Sequence, residues 1–235
     1  MKCWICGIND ADSREHLIKA SDMRDLFGNV SQQEPIYGHI LNSKCEIISK
    51  NQLIGSSKSN KLKLVASLCK KCNTDRTSQY DNAWMKLSRY LLRQRLDIPD
   101  NMRIRLGKVF PYKRYENALF VHLYFVKHFG CRIIESGTLI DTKEFSQSLV
   151  DRKPCKSVFL LFKKWGKRLD RKHATSIPIE ASIKDNKIFV AVTSYTLNEL
   201  TVEIIYSPKV FKDEFLDKTF HPQGPKNRVL IFQNV

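Results

Sequence analysis

The chain has 235 residues, of which 42% are hydrophobic and 27% are charged, and this predicts a globular protein of one large or two small domains. No segment reaches the roughly 18 consecutive apolar residues that a membrane helix needs, and no apolar leader follows Met1, so we expect a cytoplasmic protein with no membrane partner. Forty Lys and Arg against 24 Asp and Glu leave a formal net charge of +16, which favours a polyanionic partner such as nucleic acid. A charge that serves only solubility is the alternative.

Two Cys-x-x-Cys pairs stand out, Cys3–Cys6 in MKCWICG and Cys69–Cys72 in LCKKCN. Zinc takes four tetrahedral ligands, and each pair supplies two thiolates from one tight turn. We therefore predict one structural zinc on all four sulfurs, with an insertion between the pairs. Two unrelated thiol pairs are the alternative, but neither lies in the βαβ pattern of a thioredoxin-like redox site. The remaining three cysteines are expected to be ordinary thiols: Cys45, Cys131 and Cys155.

Between the pairs lies SREHLIKA, with Glu15 next to His16, and Asn73 directly follows the second pair. A neutral imidazole, with a reference pKa of about 6.5, can accept a proton at neutral pH, and carboxylate and amide oxygens suit a hard cation. Neighbours on a strand point to opposite sides. Glu15 and His16 can therefore reach one site only where the strand ends or bends.

Over residues 1–90, the order Cys-x-x-Cys, Glu-His, Cys-x-x-Cys-Asn resembles that of HNH endonucleases with the ββα-metal fold, in the branch that two such pairs staple with zinc. The resemblance implies that His16 is the general base that deprotonates a water. It implies that Glu15 and Asn73 hold a catalytic divalent cation, Mg²⁺ or Mn²⁺, with Zn²⁺ or Ni²⁺ as alternatives. It also implies hydrolysis of phosphodiester bonds, in DNA rather than RNA because the family mostly cuts DNA.

The sequence departs from the family pattern at two points. The acidic residue is more often Asp, and the middle Asn of the motif has no clear counterpart, Asn60 being the nearest and Asn51 a weaker alternative. A degenerate HNH fold that binds nucleic acid without cutting, or an unrelated zinc module, is the competing interpretation. Arg76 is a candidate phosphate contact and Asp81 a candidate metal or Arg76 partner, with a structural role as the alternative for each.

Residues 80–96 have apolar side chains at helical spacing, and Pro99 then ends the helix. We place a domain boundary there, with an HNH-like nuclease domain at 1–98 and a second domain at 101–235. In the second, residues 113–130 predict a mostly buried helix that stops at Gly130, and residues 141–151 predict another. Strands then follow in KSVFLLFKKW, IPIEASIKD, KIFVAVTSY, LTVEIIYSP and RVLIFQ.

The expected fold class is thus α+β, with a zinc-stapled ββα-metal domain followed by an α+β domain with an antiparallel sheet. Residues 163–173, KKWGKRLDRKH, combine six basic residues with an aromatic one. Such a run suits a phosphate backbone and a stacked base, although a solvated loop is an equal alternative. The second domain is therefore predicted to recognise substrate or to form a homodimer. The predicted contacts in this run are Lys163, Lys164, Trp165, Lys167 and Arg168.

Overall fold

The computed structural model describes residues 1–41, 46–93, 103–164, 172–185, 187–209, 217–224 and 229–234. Helices and strands are both abundant and the sheets are mainly antiparallel, so the α+β class is confirmed. Within these ranges, no helix combines the length and the apolar character needed to cross a lipid bilayer.

The N-terminal half is built on a short antiparallel pair of strands, β1 (Ser13–His16) and β4 (Lys63–Leu68). Helix α1 (Ala20–Phe27) follows β1. The predicted insertion is a hairpin of β2 (Ile36–Leu41) and β3 (Ile47–Ile54), whose strands pair only with each other in the described sheets.

Helix α2 (Ser78–Arg93) confirms the helix predicted after the second thiol pair, and a π-helical turn, Cys72–Arg76, leads into it. Its buried face carries Tyr80, Trp84 and Leu87. The predicted domain boundary, with Pro99, lies outside the described residues.

The short helices in the described part of the C-terminal half are α3 (Leu106–Val109) and α5 (Lys143–Asp151). The described strands of this half are β5 (Arg103–Arg105), β6 (Val158–Lys164), β7 (Ala174–Ser176), β8 (Glu180–Lys184), β9 (Lys187–Leu197), β10 (Leu200–Tyr206) and β11 (Val229–Asn234). These seven strands form one sheet in the order β5-β11-β6-β10-β9-β7, and β8 also pairs with β9. All described pairs in this sheet are antiparallel except β11 with β6, which run parallel.

The long helix α4 (Arg114–Ser136) corrects one expectation, because it does not stop at Gly130 but continues to Ser136 and ends at Gly137, whose φ is 65°. Gly130 instead permits a close approach. A Cβ at this position would lie 2.3 Å from the Trp4 ring, which comes from the first thiol turn. A glycine inside a helix is thus explained by packing rather than by helix termination.

Helix α4 is buried on most of its surface and joins the two halves of the chain. The Trp84 ring of α2 stacks on Tyr124 of α4 at 5.7 Å between centroids and meets Tyr195 of β9 edge-on at 5.6 Å. One cluster of buried apolar side chains runs from Cys3 to Phe232. The elements that carry the thiol pairs and the large sheet therefore share a hydrophobic core.

Candidate functional site

The four paired cysteines come together as predicted: their sulfurs all lie within 4.8 Å of one another, and Cys6 Sγ is 3.9 Å from Cys69 Sγ. Tetrahedral zinc with Zn–S bonds of about 2.3 Å would need sulfurs about 3.8 Å apart. The cluster is therefore positioned to hold a metal ion and is compatible with structural zinc. It is the one group of three or more Cys, His or acidic side chains with this spacing in the described part of the chain.

Polar groups around Cys6 and Cys69 favour the thiolate form of these two residues, whereas burial raises the pKa of Cys3 and Cys72. Asn9 Nδ2 donates to Cys69 Sγ at 3.6 Å, and the backbone N–H of Cys72 donates to the same sulfur at 3.4 Å. Burial works against ionisation of Cys6, but backbone hydrogen bonds from Asn9 and Ile8 outweigh it and lower the pKa of this thiol to about 6. At neutral pH, Cys6 is thus already in the form that binds metal.

Strand β1 is irregular next to Glu15 and His16, where a bend or a strand end is needed for both side chains to reach one site. Ser13 pairs with Leu68, Arg14 with Ala66 and His16 with Lys63, so the register shifts on both sides of Arg14, and His16 is the last residue of the strand. The guanidinium of Arg14 supports the bend, since its Nε donates to the carbonyl oxygen of Leu64 at 2.7 Å. The adjacent side chains of Glu15 and His16 consequently line the same pocket.

Asn73 ties the second thiol turn to β1. Its Nδ2 donates to Ser13 Oγ at 2.9 Å and to the carbonyl oxygen of Arg14 at 3.3 Å, and the residue lines the pocket with Glu15 and His16. The second thiol pair therefore carries Asn73 to β1 through direct contacts. Asn51 and Asn60, the candidates for the middle Asn of the motif, are not among the pocket residues.

The pocket has a volume of about 620 Å³ and a positive lining, with five basic side chains against three acidic ones. Lys19 and Asp81 are partly exposed, with 20% and 19% of their side chains accessible to solvent. Their charged groups lie 3.3 Å apart and form an ion pair. The backbone N–H of Lys19 donates to Tyr195 Oη, and Tyr195 Oη donates to the buried carboxylate of Asp22 at 2.6 Å. The large sheet thus fixes the backbone at Lys19.

Lys127 of α4 enters the pocket from the core. Its Nζ lies 2.9 Å from Glu15 Oε2 and 3.1 Å from Asp81 Oδ1, and it donates to Thr77 Oγ1 at 3.3 Å. Only 1% of the Lys127 side chain and 7% of the Glu15 side chain are exposed. Burial alone would lower the pKa of Lys127, but the two carboxylates outweigh burial and raise it. The ammonium is therefore charged and is shared by both acidic groups.

His16 is a neutral imidazole in this setting. Burial, followed by the positive charges of Lys63, Lys19 and Lys127, lowers the pKa of His16 to about 4. Its Nε2 is buried and has no hydrogen-bond partner in the described structure. A buried polar atom without a partner is rare in folded proteins, and it marks His16 as a residue of interest in the pocket.

Other predicted contacts lie elsewhere. Arg76 is half-buried on the π-helical turn and does not line the pocket. The ammonium of Lys163 lies 2.5 Å from a carboxylate oxygen of Glu203 on β10, so it is already neutralised, and Lys164 also has a partner. Trp165, Lys167 and Arg168 lie outside the described residues. The nucleic-acid role of this run remains a prediction.

The sequence interpretation missed Lys127, Lys19 and Lys63. One signal was present for Lys127, because a lysine within the apolar run LYFVKHFG is rarely buried without an acidic partner. Lys19 and Lys63 carry no such signal, since lysines are common on exposed loops and strand ends.

No family model matches this chain, and comparisons with curated proteins and with solved structures give no significant match.

Proposed function

We propose that this chain is an endonuclease that hydrolyses phosphodiester bonds of nucleic acid, with DNA preferred to RNA. The observation that carries the proposal is the convergence of Glu15, His16 and Asn73 on one open, positively lined pocket. We further propose that the metal on Cys3, Cys6, Cys69 and Cys72 is zinc with a purely structural role, since four protein thiolates leave no open coordination position.

In the proposed mechanism, His16 accepts a proton from a water, and the water oxygen attacks phosphorus. The P–O bond to the leaving oxygen breaks, the leaving oxygen takes a proton from solvent, and the imidazolium returns its proton to water. Lys19 and Lys63 line the same pocket, and their positive charge favours the extra negative charge of the transition state.

The divalent cation that the resemblance implies does not fit the side chains as they lie. Lys127 Nζ already lies within 3.1 Å of an oxygen of both Glu15 and Asp81, and Glu15, His16 and Asp81 do not form a group with ligand spacing in the described structure. No step of the mechanism passes through that cation, and the cleavage assay with and without added metal tests the cation that the sequence led us to expect on Glu15 and Asn73.

The proposed function is tested by nicking of supercoiled plasmid, with Mg²⁺, Mn²⁺, Zn²⁺ or Ni²⁺ and without added metal. His16→Ala should lower the rate by about 10²-fold or more, the usual contribution of a general base. His39→Ala is the matched control, because His39 is an exposed histidine on the β2–β3 hairpin outside the pocket. Undiminished nicking by His16→Ala would remove His16 from the mechanism.

The competing function is a non-catalytic, zinc-stapled protein that binds nucleic acid. The buried pairing of Glu15 with Lys127 favours it, since a carboxylate held in this way resembles a structural group. Retained binding of DNA and RNA, with cleavage of neither under any of the metal conditions, would decide for this alternative.

A further inference from the structure

The position of Lys127 decides what the two acidic groups of the pocket can bind. Its ammonium lies 2.9 Å from Glu15 Oε2 and 3.1 and 3.3 Å from the two oxygens of Asp81. A divalent cation needs carboxylate oxygens at about 2.0–2.6 Å, so a cation shared by Glu15 and Asp81 would need the space that the ammonium fills. The protein thus supplies a positive charge of its own at this point.

A second cation beside Lys127 would also meet strong repulsion. Coulomb repulsion scales with the product of the two charges, so a divalent ion beside the ammonium meets twice the repulsion that a monovalent ion would meet. Lys127 has no exposed route away from the site, because 99% of its side chain is covered. Displacing it would bury an ammonium without a partner, which is a further cost.

Two other lysines line the pocket. Lys19 is one-fifth exposed and its ammonium lies 3.3 Å from Asp81, and Lys63 is half-buried at the β4 position that pairs with His16. Lys127 and Lys19 together balance the charges of Glu15 and Asp81, so the other basic side chains of the lining, Lys63 among them, leave the pocket with a net positive charge. A phosphate group is the ligand that such a pocket favours.

We propose that Lys127 is a built-in cation that takes the place of a divalent metal between Glu15 and Asp81, so that the pocket binds a nucleic-acid phosphate without that metal. The inference rests on the proposed function only in taking nucleic acid as the ligand. Lys127 acts through the two carboxylates and is a positioning residue, whereas Lys19 and Lys63 face the phosphate.

The first test is made on the wild-type, zinc-loaded chain. Titration with Mn²⁺, followed by electron paramagnetic resonance, should show no saturable site tighter than about 1 mM. Fluorescence anisotropy with a labelled DNA duplex should give the same affinity in metal-stripped buffer and with Mg²⁺, within about twofold. A wild-type Mn²⁺ site that Glu15→Gln abolishes, or DNA binding that requires Mg²⁺, would overturn the proposal.

The second test removes the ammonium. Lys127→Met should create a Mn²⁺ site on the released carboxylates and weaken DNA binding about tenfold, whereas a purely structural lysine would give no new metal signal. Arg89→Met is the matched control, because it breaks the ion pair with Asp25 between α1 and α2 outside the pocket, and it should do neither. A folded Lys127→Met protein with no Mn²⁺ signal and unchanged DNA affinity would contradict the proposal.

If Lys127→Met alone does not fold, the triple variant with Glu15→Gln and Asp81→Asn removes the unpaired charges. This variant should bind no Mn²⁺ and should bind DNA at least as tightly as wild type, because neither position 15 nor position 81 then carries a carboxylate charge that opposes the phosphate. A folded triple variant that binds Mn²⁺, or whose DNA affinity falls about tenfold, would overturn the role of Lys127. The Mn²⁺ and DNA binding measurements do not depend on cleavage. A chain that binds DNA without a divalent metal but never nicks it would refute the proposed function and leave the proposed role of Lys127 intact.

Discussion

The environment of His16 opposes its protonation. Burial and the nearby lysines lower the pKa of His16 to about 4, whereas an unfolded histidine has a pKa near 6.5. Between these values the unfolded chain binds a proton that the folded chain does not, so the free energy of unfolding must fall as the pH decreases through this window. The same groups that keep the imidazole unprotonated thus make the folded state sensitive to acid.

We therefore expect wild type to lose more stability than His16→Gln between pH 6.5 and pH 5. After allowance for partial exposure of the ring, the difference should be about 1 kcal/mol. Urea unfolding of both proteins at the two pH values measures it. The other histidines are present in both proteins and cancel in the comparison. Equal losses of stability would show that His16 is solvated in the folded state.

At the scale of single elements, the thiol cluster holds the pocket together. Cys69 and Cys72 frame the start of the π-helical turn that carries Asn73, and Asn73 in turn donates to Ser13 and Arg14 of β1. These elements are short, so a metal bound to the four sulfurs would supply much of the free energy that orders them.

Metal analysis should find about one zinc per chain, and Cys72→Ser should lower that content. In hydrogen–deuterium exchange, Cys72→Ser should lose amide protection in β1, β4 and the π-helical turn, while β6, β9 and β10 keep theirs. Re-addition of zinc to chelator-treated wild type is the control and should restore protection. Full protection of β1 and β4 in zinc-free protein would show that the metal does not order the site.

The parts of the site that follow from short sequence motifs could be predicted, whereas contacts between distant residues could not. The two thiol pairs, the Glu15–His16 pair and Asn73 form a recognisable pattern along the sequence, and strand geometry alone requires a bend at Glu15 and His16. Lys127 could not be placed, because its partner Asp81 is 46 residues away and no local pattern pairs them. Gly130 was misinterpreted for a similar reason: glycine both ends helices and permits close packing, and the Trp4 ring decides between these roles.

At the scale of the whole molecule, one hydrophobic core includes side chains from both of the expected domains, 1–98 and 101–235. Trp84 of α2 packs on Tyr124 and Tyr195, and Lys127 pairs with Glu15 and Asp81 across the same boundary. Removal of one half would expose large aromatic side chains and leave the buried carboxylate of Glu15 without its counter-charge. Each of these effects costs several kcal/mol, comparable with the whole stability of a small domain.

We therefore expect one cooperative unfolding transition. Tryptophan fluorescence, to which Trp4 and Trp84 contribute, and circular dichroism, which follows the large sheet, should give coincident urea curves. A fragment of residues 1–98 should fail to give a dispersed NMR spectrum even with zinc, because its α2 face and Glu15 lack α4. Two separate transitions, or a folded 1–98 fragment, would instead support independent domains, and would mean that the contacts of Lys127 contribute little to the stability of the site.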